Sequence, residues 1–377
     1  MNAVMVDPIR CPVVWPYCLS EELLDSYLKE AGRILSASRF RRRDGEGWSE
    51  RAAGLVHEAM HLPTDWSVLP LRSGTDALML ALRAMDVRAG DEVGVPDLAF
   101  DAVAMAVLRA GANPVWLDVD EHAWNLTDTS LVKSLDRRPK AVIGVDNFGA
   151  PCDWRGIGAY CRENGIGFIL DSCESLGAVH PDGPSSAHAD LVVTSFSFTK
   201  PIHAAGTGGA LCGPTAVIDD ITLRPEFATW PTRLPELNAA FLVHAWPDLK
   251  KSVAHLNEIY RRYAASLDCL DAVPQTLLPD ATPAWILAPF RLVTDRWGLR
   301  PVQLVDDLIS HLGRHGIDGR RAFPPQSSRF GLGSRQPTSA RLYEEILCLP
   351  TGAAMPIEWV DVVVKHLADA RAAPSGS

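Results

Sequence analysis

The sequence is short of the features that announce a specialised architecture. Its eight cysteines include no C-x-x-C pair, which argues against a zinc knuckle or a disulfide framework and for a reducing, cytoplasmic setting. No charged-then-apolar leader opens the chain, and no apolar run approaches membrane-spanning length, so neither export nor a membrane is expected. Positive charge is in deficit, with 36 Lys and Arg against 46 Asp and Glu, and the formal charge of −10 argues against a general nucleic-acid partner. The one basic run, Arg39, Arg41, Arg42 and Arg43, reads as a solvated turn or as an anchor for an anionic substrate across a subunit interface. Internal repeats and low-complexity segments are lacking. Lysine is sparse in the middle of the chain, where Lys200 is the only one between Lys140 and Lys250.

What remains is an ordinary globular composition, 47% apolar and 22% charged, over 377 residues. That length exceeds one small core, so two lobes are expected, divided as 1–245 and 246–377. Residues 1–66 read as mostly helical, with Ser20 as a cap and Leu24, Leu28 and Leu35 at helical spacing. Strands are then expected at Trp66–Leu71, Glu92–Pro96, Pro114–Val119, Ala141–Asp146, Gly167–Asp171 and Leu191–Phe196. Helical patterns fall between them, at Asp76–Met85, Ala102–Ala110, Thr129–Leu135 and Trp154–Asn164. Such alternation with apolar strands implies an α/β fold whose mostly parallel central sheet is flanked by helices. Pro214–Pro235 reads as a loop excursion able to cross to a partner, followed by a long helical segment from Glu236 to Leu267 broken at Pro247. The remainder reads as a smaller α+β domain, with a strand at Trp285–Val293, helices at Pro301–His315 and Ile357–Ala370, and a frayed tail from Ala373.

Ligands of parallel sheets collect at the carboxyl ends of the strands, and four features fall there. Ser73-Gly74-Thr75 opens a helix and offers the backbone N–H groups of Gly74, Thr75 and Asp76 to an anion. Phe100 closes a strand in Pro96-Asp-Leu-Ala-Phe, Asp171 ends another, and Lys200 lies beyond Ser195 at the end of a third. A lysine in such a place is easily desolvated, which favours a neutral, nucleophilic amine. A phosphate cradle, an aromatic plate, a carboxylate for a ring nitrogen and an imine-forming amine are together the needs of pyridoxal phosphate (PLP). Taken singly each is commonplace: a turn, a core phenylalanine, a cap, a strand-end lysine. Cys173, beside the proposed site, reads as a core filler or a reactive thiol.

These motifs resemble the DegT-type (StrS-like) sugar aminotransferases, which are fold-type-I PLP enzymes. The resemblance rests on Ser73-Gly-Thr-Asp-Ala-Leu, Pro96-Asp-Leu-Ala-Phe, Asp118-Val-Asp with Trp124-Asn125, and Phe148-Gly-Ala-Pro with Asp153. It continues through Asp171-Ser-Cys-Glu-Ser-Leu-Gly, Ser195-Phe-Ser-Phe-Thr-Lys with Gly206-Thr-Gly-Gly, and Leu347-Cys-Leu-Pro before Met355. It implies that Lys200 bonds the cofactor as a Schiff base and shuttles a proton, and that Asp171 holds the pyridine nitrogen. Glu174 would sit near the ring hydroxyl, Ser73, Gly74, Thr75 and Ser195 would bind phosphate, and Phe100 would stack on the ring. The family's dehydrating branch has histidine where Lys200 stands, so transamination is implied, from an amino-acid donor such as glutamate or glutamine to a keto-sugar, cyclitol or related carbonyl. Pyridoxamine phosphate (PMP) would carry the nitrogen between the two half-reactions, and a homodimer with shared sites is implied. Three departures stand out: Pro231 replaces an asparagine that reaches a neighbouring subunit, Asp146 replaces a histidine, and Trp285–Phe290 lacks a histidine of the substrate strand. Thr229, Thr232 or an early arginine is left to replace the asparagine. A different PLP reaction on an amino acid, and a non-catalytic homologue, remain open at this point.

Overall fold

The main sheet owes its position to strands whose successive residues feed two different cores. The protein is described by a computed structural model for residues 11–37, 47–225, 227, 232–293, 300–333 and 336–372. Helices α1 (Glu21–Ser36) and α2 (Trp48–Ala59) precede an alternation of β1 (Trp66–Leu71), α3 (Gly74–Ala84), β2 (Glu92–Pro96), α4 (Asp101–Arg109), β3 (Asn113–Leu117), α5 (Asp128–Ser134), β4 (Ala141–Val145), α6 (Trp154–Glu163) and β5 (Gly167–Asp171). Then come β6 (Leu191–Ser195), β7 (Gly209–Pro214) and α7 (Thr215–Leu223). The strand order is β1-β7-β6-β5-β4-β2-β3, and β7 runs antiparallel to both its neighbours while the pairs from β6 to β3 are parallel.

Alternation along the strands sorts side chains to opposite faces. Val142, Phe168, Leu170 and Val192 join Val56 of α2, Leu131 of α5 and Ile157 of α6 in one core. Ile143, Ile169, Val193 and Leu211 join Leu78 of α3, Val103 of α4 and Ile218 of α7 in another. Both faces are therefore covered, as a parallel sheet requires.

The α/β expectation holds, with local differences. β3, β4 and β6 stop one or two residues short of their expected ends, because the chain turns away at Asp118, Asp146 and Phe196 to present loops at the sheet edge. β7 was not expected at all, since Gly206-Thr-Gly-Gly reads as loop. It is a central strand because Gly209 must approach the α3 entry: a Cβ there would lie 2.4 Å from the Ser73 carbonyl carbon. Pro214–Pro235 is not an irregular excursion throughout, since Thr215–Leu223 forms α7 and buries Ile218 and Ile221. The prolines that suggested loop fall outside this helix. Its sequel at 228–231 lies outside the described residues, as do Arg39, Arg41, Arg42, Arg43 and the tail from Ala373.

A second sheet, β10 (Arg320–Arg321), β11 (Ile346–Leu349), β9 (Ala288–Leu292) and β8 (Ala272–Pro274) in spatial order, is antiparallel throughout. With the helices Pro301–Arg314 and Trp359–Ala372 it encloses a third core, which Cys11 also enters. The segment before α1 is thus extended rather than helical at Cys11 and Val14, which bridge to Ile317 and Thr351. Helix Leu249–Ser266 spans both halves: Leu249 and Val253 enter the α2-side core, whereas Leu256, Ile259 and Tyr263 enter the third. Two aspartates at the ends of β2 and β3 also join the halves. Asp97 accepts hydrogen bonds from Ser327 N (2.6 Å), Ser327 Oγ (3.0 Å) and Gln336 N (3.0 Å). Asp118 caps the helix Pro337–Glu345 by accepting from Thr338 N (2.9 Å) and Ser339 N (2.8 Å).

Candidate active site

Register across three strands sets the site. Leu71 and Ser195, the last residues of β1 and β6, lie in one row with Gly209, the first of β7, and Asp171 ends β5 beside Val145 and Val193. The chain after Leu71 enters α3 with Ser73 as its cap, whose hydroxyl accepts from Asp76 N at 3.1 Å. That bond uses the Asp76 N–H expected for an anion, and leaves those of Gly74 and Thr75 at the helix mouth. Glycine at 74 has a steric reason, since a Cβ would lie 2.6 Å from Cys173 Sγ and 3.2 Å from Ser195 Cβ. Helix mouth, Ser195 and the loop after β5 therefore converge.

The turn after β6 brings Lys200 back over this edge. Lys200 Nζ lies 3.8 Å from Glu174 Oε1, with 9% and 7% of the two side chains exposed. Burial pushes the Asp171 carboxyl above the usual carboxylate range, against the pull of a Cys173 hydrogen bond and the Lys200 charge. Glu174 is raised by burial too, again opposed by Lys200. Asp171 Oδ1 accepts from Cys173 N (2.9 Å), and Glu174 Oε2 accepts from Phe148 N (2.7 Å). Burial and the adjacent Asp171 push the Cys173 thiol well up, which leaves it a filler rather than a reactive thiolate.

Of the expected residues, the structure brings Ser73, Gly74, Thr75, Asp171, Glu174, Ser195 and Lys200 to one edge. Phe100 does not close a strand. β2 ends at Pro96, and Phe100 is the residue that leads into α4, 54% exposed, because Asp97, Leu98 and Ala99 turn inward first. Its ring meets Phe323 edge-on at 5.8 Å, and Phe323 stacks on Phe148 at 5.5 Å. Arg320 lies over Phe323 at 5.5 Å, and its charge acts on Glu174. Sequence reasoning missed Arg320, in β10 of the second sheet, and Phe323, in the loop just after it, and neither carries a periodic signal. Phe148 stood in a recognised motif without a role. Its φ of 62° is strained for an aromatic residue, and Gly149 beside it is pressed against Glu174 O, 2.9 Å from where a Cβ would be.

The departures are also located. Asp146 is fully buried and accepts from Cys152 N (2.8 Å), Trp154 Nε1 (2.8 Å), Ser172 Oγ (3.2 Å) and Ser175 Oγ (2.5 Å). It holds the loop that carries Cys173 and Glu174. Ala284 N and Ile286 N donate to Gly149 O (2.9 Å) and Phe148 O (3.1 Å), so this segment borders the site through its backbone while Trp285 stacks on Tyr260. Thr232 is fully buried within its own protomer, which removes it as a reach to a neighbour. Pro231 and Thr229 lie outside the described residues.

The donor set fits PLP: one nearly buried amine, a carboxyl raised by its burial, and a glycine-walled helix mouth beside a serine hydroxyl. A cleft of about 510 Å³ lined by Trp66, Met85, His188 and Asp190 opens at the other end of β1 and β6 and takes no part.

Residues 65–224 and 225–368 match the model of the DegT/DnrJ/EryC1/StrS aminotransferase family. The chain is 31% identical over 349 residues to UDP-N-acetyl-3-dehydro-alpha-D-glucosamine 3-aminotransferase of Acidithiobacillus ferrooxidans, covering 87% of this chain and 89% of that protein. In fold it is similar to the aminotransferase TlmJ from Streptoalloteichus hindustanus, with a TM-score of 0.84 at 23% identity over 96% of this chain and 99% of that one. It is likewise similar to NtdA from Bacillus subtilis with bound cofactor PMP, with a TM-score of 0.81 at 18% identity over 94% of this chain and 83% of that one.

Proposed function

The chain belongs to the DegT/DnrJ/EryC1/StrS aminotransferase family, and on that premise we propose that it aminates a nucleotide-linked keto-sugar using glutamate or glutamine. It is a PLP-dependent aminotransferase, which sets aside a non-catalytic role. When bound, PLP supplies an electrophilic aldehyde and a ring that accepts electrons. Lys200 Nζ is the amine for cofactor attachment, and it afterwards moves a proton at the carbon that bears the transferred nitrogen. Asp171 would hold the pyridine nitrogen, whose positive charge would offset the cost of burying the carboxylate. Glu174, oriented by the Phe148 N–H, would face the ring hydroxyl. The Gly74 and Thr75 N–H groups with the Ser73 and Ser195 hydroxyls would hold phosphate, and Phe100 would cover the ring.

The observation that carries this reading is the Lys200 amine lying 3.8 Å from Glu174 at the strand edge where Asp171 ends. The nucleotide-linked acceptor follows the chemistry named for the relative from A. ferrooxidans. The reading extends to a homodimer with sites shared between protomers, the arrangement that the family resemblance implies. We place the two lobes either side of residue 245, and the reaction in the cytoplasm, where its free thiols stay reduced. Among the described residues no helix is long and apolar enough to cross a membrane.

The test is a panel of UDP- and dTDP-linked keto-sugars offered with ¹⁵N-glutamate to the PLP-loaded protein. A labelled amino-sugar forming one for one with 2-oxoglutarate is expected. Lys200→Ala should abolish it and the visible absorption of the resting enzyme. Amino-acid consumption that releases ammonia or carbon dioxide, without a 2-oxo acid, would replace this reading with another PLP reaction.

A further inference from the structure

Far along the chain from the cofactor residues, three histidines converge on the C-terminal helices. His311 and His315 stand one turn apart at the end of the helix Pro301–Arg314, and His366 faces them from Trp359–Ala372. One nitrogen of each lies within 4.8 Å of the others. We propose that His311, His315 and His366 form a binding site for a divalent transition metal of the zinc class.

Three observations carry the assignment. The i, i+4 pair presents two imidazoles on one helix face, a spacing suited to one ion. His315 Nδ1 donates to His311 O at 2.9 Å, which leaves its Nε2 lone pair free and fixes the ring, as backbone carbonyls do for metal-bound histidines. His311 Nε2 is buried with no hydrogen-bond partner, an unusual state for a ring nitrogen that a metal would resolve. Tetrahedral binding wants ligand nitrogens about 3.4 Å apart, so small side-chain rotations close the site. All-imidazole donors select zinc, cobalt, nickel or copper over magnesium or calcium. Bound there, the ion pins the last helix to its neighbour.

Tag-free, PLP-loaded protein is stripped with chelator and titrated with Zn²⁺, and separately with Co²⁺ to read its visible spectrum. One equivalent of Zn²⁺ is expected to bind and to raise the melting temperature, whereas Mg²⁺ does neither. His315→Asn, at an exposed position, and His366→Asn should each weaken Zn²⁺ binding by more than about 10-fold without changing PLP content. Unchanged affinity in both variants, or no one-equivalent isotherm for the parent protein, overturns the site.

Discussion

Replacing Asp146 tests how the loop after β5 is held. Its Oδ1 accepts two backbone-fixed or ring-fixed donors, Cys152 N and Trp154 Nε1, and its Oδ2 accepts two hydroxyls, Ser172 and Ser175. In Asp146→Ala the hydroxyls can turn elsewhere but the two N–H groups cannot. At about 1–3 kcal/mol for each buried orphan, the loss is about 2–6 kcal/mol. In Asp146→Asn the remaining carbonyl keeps both N–H groups, and the new amide donates to hydroxyls that can reverse, so the cost is at most about 1 kcal/mol. The pH dependence discriminates further. Burial raises the folded-state carboxyl pKa above its ordinary 3.8. Its stabilising contribution is therefore complete below 3.8 and is lost as pH rises through the folded value, so the parent should lose ground to the Asn variant on going from acid to neutral pH. Urea unfolding of the three proteins between pH 4 and 8, read by tryptophan fluorescence, measures both effects. Equal stability of Ala and Asn variants, or a parent that gains on Asn as pH rises, would refute the argument.

Other expectations follow from neighbouring contacts. Glu174→Gln keeps the acceptor for Phe148 N but removes the titration of a carboxyl that burial raises above 4.5. The acid limb of the donor half-reaction should then vanish, and an unchanged limb in stopped-flow pH profiles would remove Glu174 from that role. Gly209→Ala places a Cβ 2.4–2.7 Å from the backbone of Ser73 and Gly74, and overpacking there should cost about 1–3 kcal/mol together with PLP affinity. Gly54→Ala meets nothing within 4 Å inside α2 and should instead gain roughly 0.5–1 kcal/mol, both changes being read by thermal melts with cofactor titration.

Much of the sheet was legible because β-strands buried on two faces are written as unbroken apolar runs. Glu92–Pro96 and Gly167–Asp171 match to the residue, and Lys200, Asp171 and the α3 entry stood out as polar interruptions after such runs. β7 was illegible because glycine is a turn signal, whereas here Gly209 answers a tertiary demand for close backbone approach. α7 was hidden by its flanking prolines. Phe323 stacks on Phe148, and the Arg320 charge acts on Glu174, through tertiary placement of the segment around β10, and local pattern holds no trace of that. Asp97 and Asp118 sat in recognised motifs, yet their hydrogen bonds tie the two halves together.

The row shared by Leu71, Gly209 and Ser195 has a consequence in time. The mouth of α3 is made early in translation, but the rung that aligns it with the lysine loop is made much later. A nascent chain ending before β7 has both banks and no bridge. Newly synthesised protein should become able to capture its cofactor only after Pro214 has cleared the ribosome, so loading is ordered behind synthesis by topology alone.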